Sequence, residues 1–85
     1  MKTFEYTISD PDGIHARPAG LLVKEASKYK STITISKDGT SADLKRLFSV
    51  MSLAVKSGDT VTIEITGPDE NPAYDAIKTL FADNL

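Results

Sequence analysis

No cysteine occurs among the 85 residues, which removes disulfides, thiolate metal sites and thiol nucleophiles together. That fits a reducing cytosol, so the expected location is cytoplasmic. Long apolar runs are missing too: nothing approaches the roughly 20 residues that span a bilayer, and residues 1–10 alternate polar and apolar instead of building a leader. No membrane insertion is expected. Charge of one sign is equally scarce, since a net charge of −2 gives the molecule no electrostatic reason to seek nucleic acid or an anionic membrane. No block of like charge and no low-complexity tract suggests disorder. Histidine occurs once, as His15, and with carboxylates scattered along the chain no compact metal-ligand set and no cofactor are expected.

What is present is ordinary for a folded soluble chain: 40% hydrophobic and 26% charged residues. A chain this short buries only about 60 to 65% of its unfolded surface, so it has one core and one domain, residues 1–85. A monomer is expected.

Periodicity outlines the elements. Phe4, Tyr6 and Ile8 alternate with polar neighbours over Lys2 to Ile8, the two-residue period of a half-buried strand, and Asp10-Pro11-Asp12-Gly13 breaks it. From Ala16 to about Lys28 the positions Ala19, Leu22, Val23 and Ala26 fall at helical spacing. Thr32 to Lys37 alternates again, and Asp38-Gly39 supplies the two positive-φ residues of a type I′ hairpin before Thr40 to Ala42. Leu44, Leu47, Phe48 and Met51 predict a short helix ending near Leu53, with a turn at Ser57-Gly58-Asp59. Val61, Ile63 and Ile65 mark a strand over Thr60 to Thr66, closed by Gly67-Pro68. Asp69, Glu70 and Pro72 then start a helix with negative charge at its positive dipole end, and Ala73, Ala76, Ile77, Leu80 and Phe81 form its buried stripe.

The order β-α-β-β-α-β-α, with strands apolar on one face only, predicts an α+β fold in which an antiparallel sheet carries all three helices on one side. The opposite face, with Thr3, Glu5, Thr7, Thr32, Thr34, Thr62 and Glu64, is wet and lacks the aromatic platforms that would stack on nucleic-acid bases.

Chemistry concentrates where a loop becomes a helix, Gly13-Ile14-His15-Ala16-Arg17-Pro18-Ala19. The first N–H groups of a helix lack intrahelical partners and have the dipole behind them, so they form a ready anion site. Pro18 has no N–H to offer, which leaves the amides of Ala16 and Arg17 as free donors. Arg17 adds a permanently charged, planar fork suited to phosphate. The same positive surroundings disfavour an imidazolium and favour a neutral, nucleophilic His15 ring, whereas Asp10 and Asp12 pull the other way. By spacing alone, a lone histidine near a helix start is more often a surface residue or a cap than a nucleophile, and an arginine two residues away is usually solvated.

The segment resembles the active-centre signature of the HPr family, the phosphocarriers of the phosphoenolpyruvate-dependent sugar phosphotransferase system. Chain length, element order and Val50-Met51-Ser52-Leu53 followed by Gly58-Asp59 are similar as well. The resemblance implies an open-faced β-sandwich of strand order 1-4-2-3. It implies that His15 is phosphorylated by enzyme I, on Nδ1, and donates to enzyme IIA proteins. It also implies that the chain is a stoichiometric carrier and not a self-sufficient enzyme. In that reading His15 and Arg17 are the chemical residues, and Ala16 and Arg17 hold the phosphate.

Partners would grip an apolar centre formed by Leu47, Phe48 and Met51, rimmed by Arg17, Lys24 and Arg46. Gly20 on the first helix either admits a partner closely or packs tightly against the sheet. One departure stands out. Many HPr proteins begin the second helix with a serine that a dedicated kinase phosphorylates, and this chain has Arg46 there. Two alternatives keep the fold: a regulatory interaction module carrying no phosphate in flux, and a nitrogen-branch paralogue of the same carrier.

Overall fold

The computed structural model describes residues 1–85 and contains β1 (Lys2–Thr7), α1 (Ala16–Ala26), β2 (Thr32–Lys37), β3 (Thr40–Asp43), α2 (Leu47–Ser52), β4 (Thr60–Thr66) and α3 (Glu70–Asn84). The strands form one sheet of order β1-β4-β2-β3, and every pairing is antiparallel. β4 is central because it has the strictest apolar alternation. Its Val61, Ile63 and Ile65 are fully buried. The register places Ile63 between Phe4 and Ile35, and Ile65 next to Ile33, so the apolar rows run across the sheet under the helices. Burying each such side chain contributes about 2 kcal/mol.

The helices complete this core from one side. Ala19, Leu22 and Ala26 of α1, Val50 of α2, and Ala73, Ile77 and Phe81 of α3 are all buried. Phe81 meets Phe4 edge-on, with ring centroids 5.8 Å apart. Across the sheet, the Thr- and Glu-bearing face is exposed or half-exposed. Asp38 at φ 50° and Gly39 at φ 83° give the β2–β3 hairpin the two left-handed residues expected of it.

Two boundaries differ from the sequence expectation by two or three residues, each for a local reason. α1 stops at Ala26, two residues short, because the N–H groups of Lys28 (3.1 Å) and Tyr29 (3.2 Å) donate to the Glu25 and Ala26 carbonyls three residues back, tightening the last turn, while the Ser27 hydroxyl caps the Val23 carbonyl at 2.7 Å. α2 begins at Leu47, not Leu44. Leu44 is wholly buried but donates its N–H to the Ile33 carbonyl at 2.9 Å, extending the sheet edge. The Asp43 carboxylate meanwhile accepts the Lys45 N–H at 2.9 Å and holds a turn ahead of the helix.

At α3, Asp69 makes no cap hydrogen bond to its own helix. Its carboxylate accepts the N–H groups of Lys30 (2.8 Å) and Ser31 (2.9 Å) and the Ser31 hydroxyl. These bonds tie the start of α3 to the loop after α1, and they hold the Asp69 carboxyl below its ordinary value, the Ser31 hydroxyl first among the causes.

Candidate functional site

The loop from Ile8 to Ile14 carries His15 into α1 and is pinned along its length. Ile8 and Ile14 are buried at its two ends. The Ile8 N–H donates to the Asp59 carbonyl (2.9 Å), and the N–H groups of Ser9 (2.7 Å) and Asp10 (3.0 Å) both donate to the Leu85 oxygen. Gly13 donates to the Asp10 carbonyl at 2.9 Å, and Ile14 to the Val55 carbonyl at 3.1 Å. Gly13 has φ 66°, and a Cβ there would overlap the Val55 carbonyl oxygen. Only glycine fits.

His15 is the N-cap residue of α1, with extended backbone (φ −91°, ψ −176°) and no side-chain cap bond, so its ring is free for other work. Its carbonyl accepts the Ala19 N–H at 3.0 Å. The amides of Ala16 and Arg17 have no protein acceptor. The imidazole is 41% exposed, and its Nε2 lies 3.7 Å from Asp10 Oδ2. Arg17 is exposed and belongs to none of the ion pairs. Together these groups border an open hollow of about 280 Å³, lined by Asp10, His15, Arg17, Pro18 and Leu21, with Asp83 and Asn84 from the end of α3.

One expectation needs correction here, and one open alternative is decided. Asp10 and Asp12 are not scattered: their carboxylates and the His15 ring bring ligand atoms within 4.8 Å of one another. The Asp10 Oδ1 atom is already engaged by the Asp12 N–H at 2.8 Å, and exposed acidic groups gather this way without a metal, so no metal role is assigned. Gly20 does not pack tightly, because a Cβ added to it would meet nothing within 4 Å.

The expected docking residues sit on α1 and α2, which pack against each other. Phe48 is 85% exposed and Met51 38%, so two large apolar groups of α2 do stay outside, while Val50 provides the buried side. Leu47 is half-buried and Lys24 exposed. Arg46 is exposed and lies 3.7 Å from Asp43. Sequence reading missed Leu21, an exposed apolar residue (41%) of α1 that lines the hollow beside His15, as well as Asp83 and Asn84. Leu21 falls off the buried stripe of α1, and that was the available signal.

A half-exposed histidine on free helix amides, displayed by an open-faced α+β sandwich, is the architecture of a histidine phosphocarrier. The particular family is as clear. A family profile described as "PTS HPr component phosphorylation site" matches residues 2–83. Phosphocarrier protein HPr of Lysinibacillus sphaericus is 42% identical over 83 residues, 98% of this chain and 94% of that protein. The solved histidine-containing phosphocarrier protein of a mycoplasma superposes with a TM-score of 0.94 at 43% identity, over 96% of this chain and 93% of that one. HPr from Thermoanaerobacter tengcongensis superposes with a TM-score of 0.93 at 37% identity, over 98% and 93%, and a dimer of HPr from that organism has also been solved. The chain belongs to the HPr family of the phosphotransferase system, and its function is that of a phosphocarrier.

Proposed function

We propose that His15 accepts a phosphoryl group at Nδ1 from phosphorylated enzyme I and passes it to enzyme IIA proteins of sugar transport. The observation that carries this reading is the position of the ring at the start of α1, half-exposed, beside the unpartnered amides of Ala16 and Arg17. In the acceptance step the Nδ1 lone pair attacks phosphorus, and the electron pair of the broken bond stays with the donor. The phosphoryl group adds negative oxygens next to donors whose partial positive charge is fixed in advance, so no reorganisation is needed. The Arg17 guanidinium completes the clamp through paired N–H groups.

The same chemistry runs backward toward the next acceptor, which suits a carrier and not a catalyst. Exposed Phe48 and Met51, with half-buried Leu47, supply an apolar centre for docking, and Met51 is soft enough to fit several partners. Arg17, Lys24 and Arg46 form the basic rim, and Gly20 leaves room for a partner to come close. With Arg46 in the place of a regulatory serine, the rim favours acidic partner surfaces permanently, which supports a carrier in flux over a serine-controlled regulatory module. The polar open sheet face supports a monomer. No helix is long and apolar enough to cross a membrane.

The test is a relay. With phosphoenolpyruvate, enzyme I, this protein and an enzyme IIA, labelled phosphate should reach enzyme IIA only when this protein is present, and should not reach it through His15→Ala. Undiminished transfer through that variant would overturn the assignment.

A further inference from the structure

We infer that Asp10 is a positioning residue that holds a proton on Nε2 of phosphorylated His15 and thereby sets how readily the phosphoryl group leaves. This rests on the reading of His15 as the phosphoryl acceptor. The geometry is built and not incidental. The Asp10 N–H is fixed on the Leu85 oxygen (3.0 Å), and its carbonyl accepts the Gly13 N–H (2.9 Å). Its Oδ1 accepts the Asp12 N–H at 2.8 Å. Held on three sides, the residue presents its remaining oxygen, Oδ2, to the ring at 3.7 Å from Nε2. Leu85 anchors the arrangement from the end of α3: it is buried, and its oxygen also accepts the Ser9 hydroxyl at 3.0 Å.

The chemistry follows from the leaving group. When an acceptor nucleophile attacks phosphorus, the P–Nδ1 bond breaks and its electron pair returns to Nδ1. If Nε2 carries a proton, the ring departs as neutral imidazole; if not, it departs as an imidazolate, a far poorer leaving group. In hydrolysis the new bond is P–O to water, both water protons leave with the phosphate, and the Nε2 proton stays where it was. A carboxylate against Nε2 favours the protonated ring by Coulomb attraction. The other charged groups around the ring are Asp12 on the same loop, Arg17 on α1 and Asp83 on α3. Of these, Arg17 opposes the proton, while Asp12 and Asp83 add to the effect. A phosphoryl group on Nε2 would instead be driven against Asp10, so the same pair selects Nδ1.

The experiment is the pH profile of phosphoryl loss from purified phosphoprotein, made with phosphoenolpyruvate and enzyme I and followed by intact mass. Asp10→Asn keeps an oxygen for the Asp12 N–H and removes only the charge. It should move the profile to lower pH and slow loss by roughly threefold on its alkaline side, the size expected for an exposed pair. Asp83→Asn removes an equal charge from α3 and should move the profile less. Superimposable profiles for wild type and Asp10→Asn, both phosphorylated on His15, would overturn the role of Asp10 while leaving the carrier reading intact. An equal displacement by Asp83→Asn would also overturn it. No phosphoryl uptake by the wild type would instead overturn the carrier reading.

Discussion

At the scale of single residues, the site depends on two glycines with opposite reasons for being glycine. Gly13 has no alternative, since its φ of 66° and the Val55 carbonyl leave no room for a side chain. Gly20 has room and φ in the helical range, so its cost is pure backbone entropy in the middle of α1. Gly20→Ala should therefore stabilise the fold by about 0.5–1 kcal/mol, measured by urea denaturation, while slowing phosphoryl uptake from enzyme I if the proposed docking brings a partner against this position. A stabilised variant with unchanged uptake would remove Gly20 from the docking surface. His15, Ala16 and Arg17 were legible because they adjoin one another at a recognisable helix start. The approach of Asp10 to the ring was not. It depends on a Leu85 oxygen that gathers the Ser9 and Asp10 amides from the far end of the chain, and no local pattern encodes that.

At the scale of elements, α2 is the piece read least well, and the reason is physical. Leu44 has the right spacing from Leu47, Phe48 and Met51 to look helical, yet its burial is satisfied at the sheet edge while Asp43 holds the intervening turn. A spacing rule sees burial, not which backbone partner takes the N–H. The other end of α2 carries strain: Ala54 sits at φ 52°, in the left-handed region that costs an L-residue about 1 kcal/mol. Lys37 compensates in part, donating to the Ala54 carbonyl at 3.1 Å and pairing with Asp59 at 3.1 Å. Ala54→Gly should raise stability by about 0.5–1 kcal/mol, read as a higher thermal midpoint. Because Val55 follows directly and accepts the Ile14 N–H, hydrogen exchange at Ile14 should slow as well. No change in either would mean the strain is already relieved elsewhere.

At the scale of the molecule, the strand alternations and the amphipathic stripes were legible because each reports a single buried face. The order β1-β4-β2-β3 was available only through family resemblance, since pairing partners far apart in sequence leave no periodic trace. Long-range polar ties are invisible for the same reason, Asp69 being 38 residues from Ser31. Folding holds Asp59, Asp69 and Glu70 below their ordinary carboxyl values. Their ionised forms thus favour the folded state above those values, and the gain disappears as the pH falls through the lowered ones. Stability should decline in acid from near 4.5, the ordinary glutamate value, and more steeply below 3.8, the ordinary aspartate value. Asp69→Asn should be less stable than wild type at pH 7 and should lose less on further acidification, as urea midpoints across that range would show. A parallel decline in both proteins would rule out Asp69 as a contributor.

All scales meet at one ring nitrogen. Nitrogen-15 NMR of the phosphoprotein, formed with phosphoenolpyruvate and enzyme I, locates the phosphoryl group atom by atom. The predicted result is coupling to phosphorus at Nδ1 of His15 alone. Phosphorus on Nε2, or on any other side chain, would contradict the account.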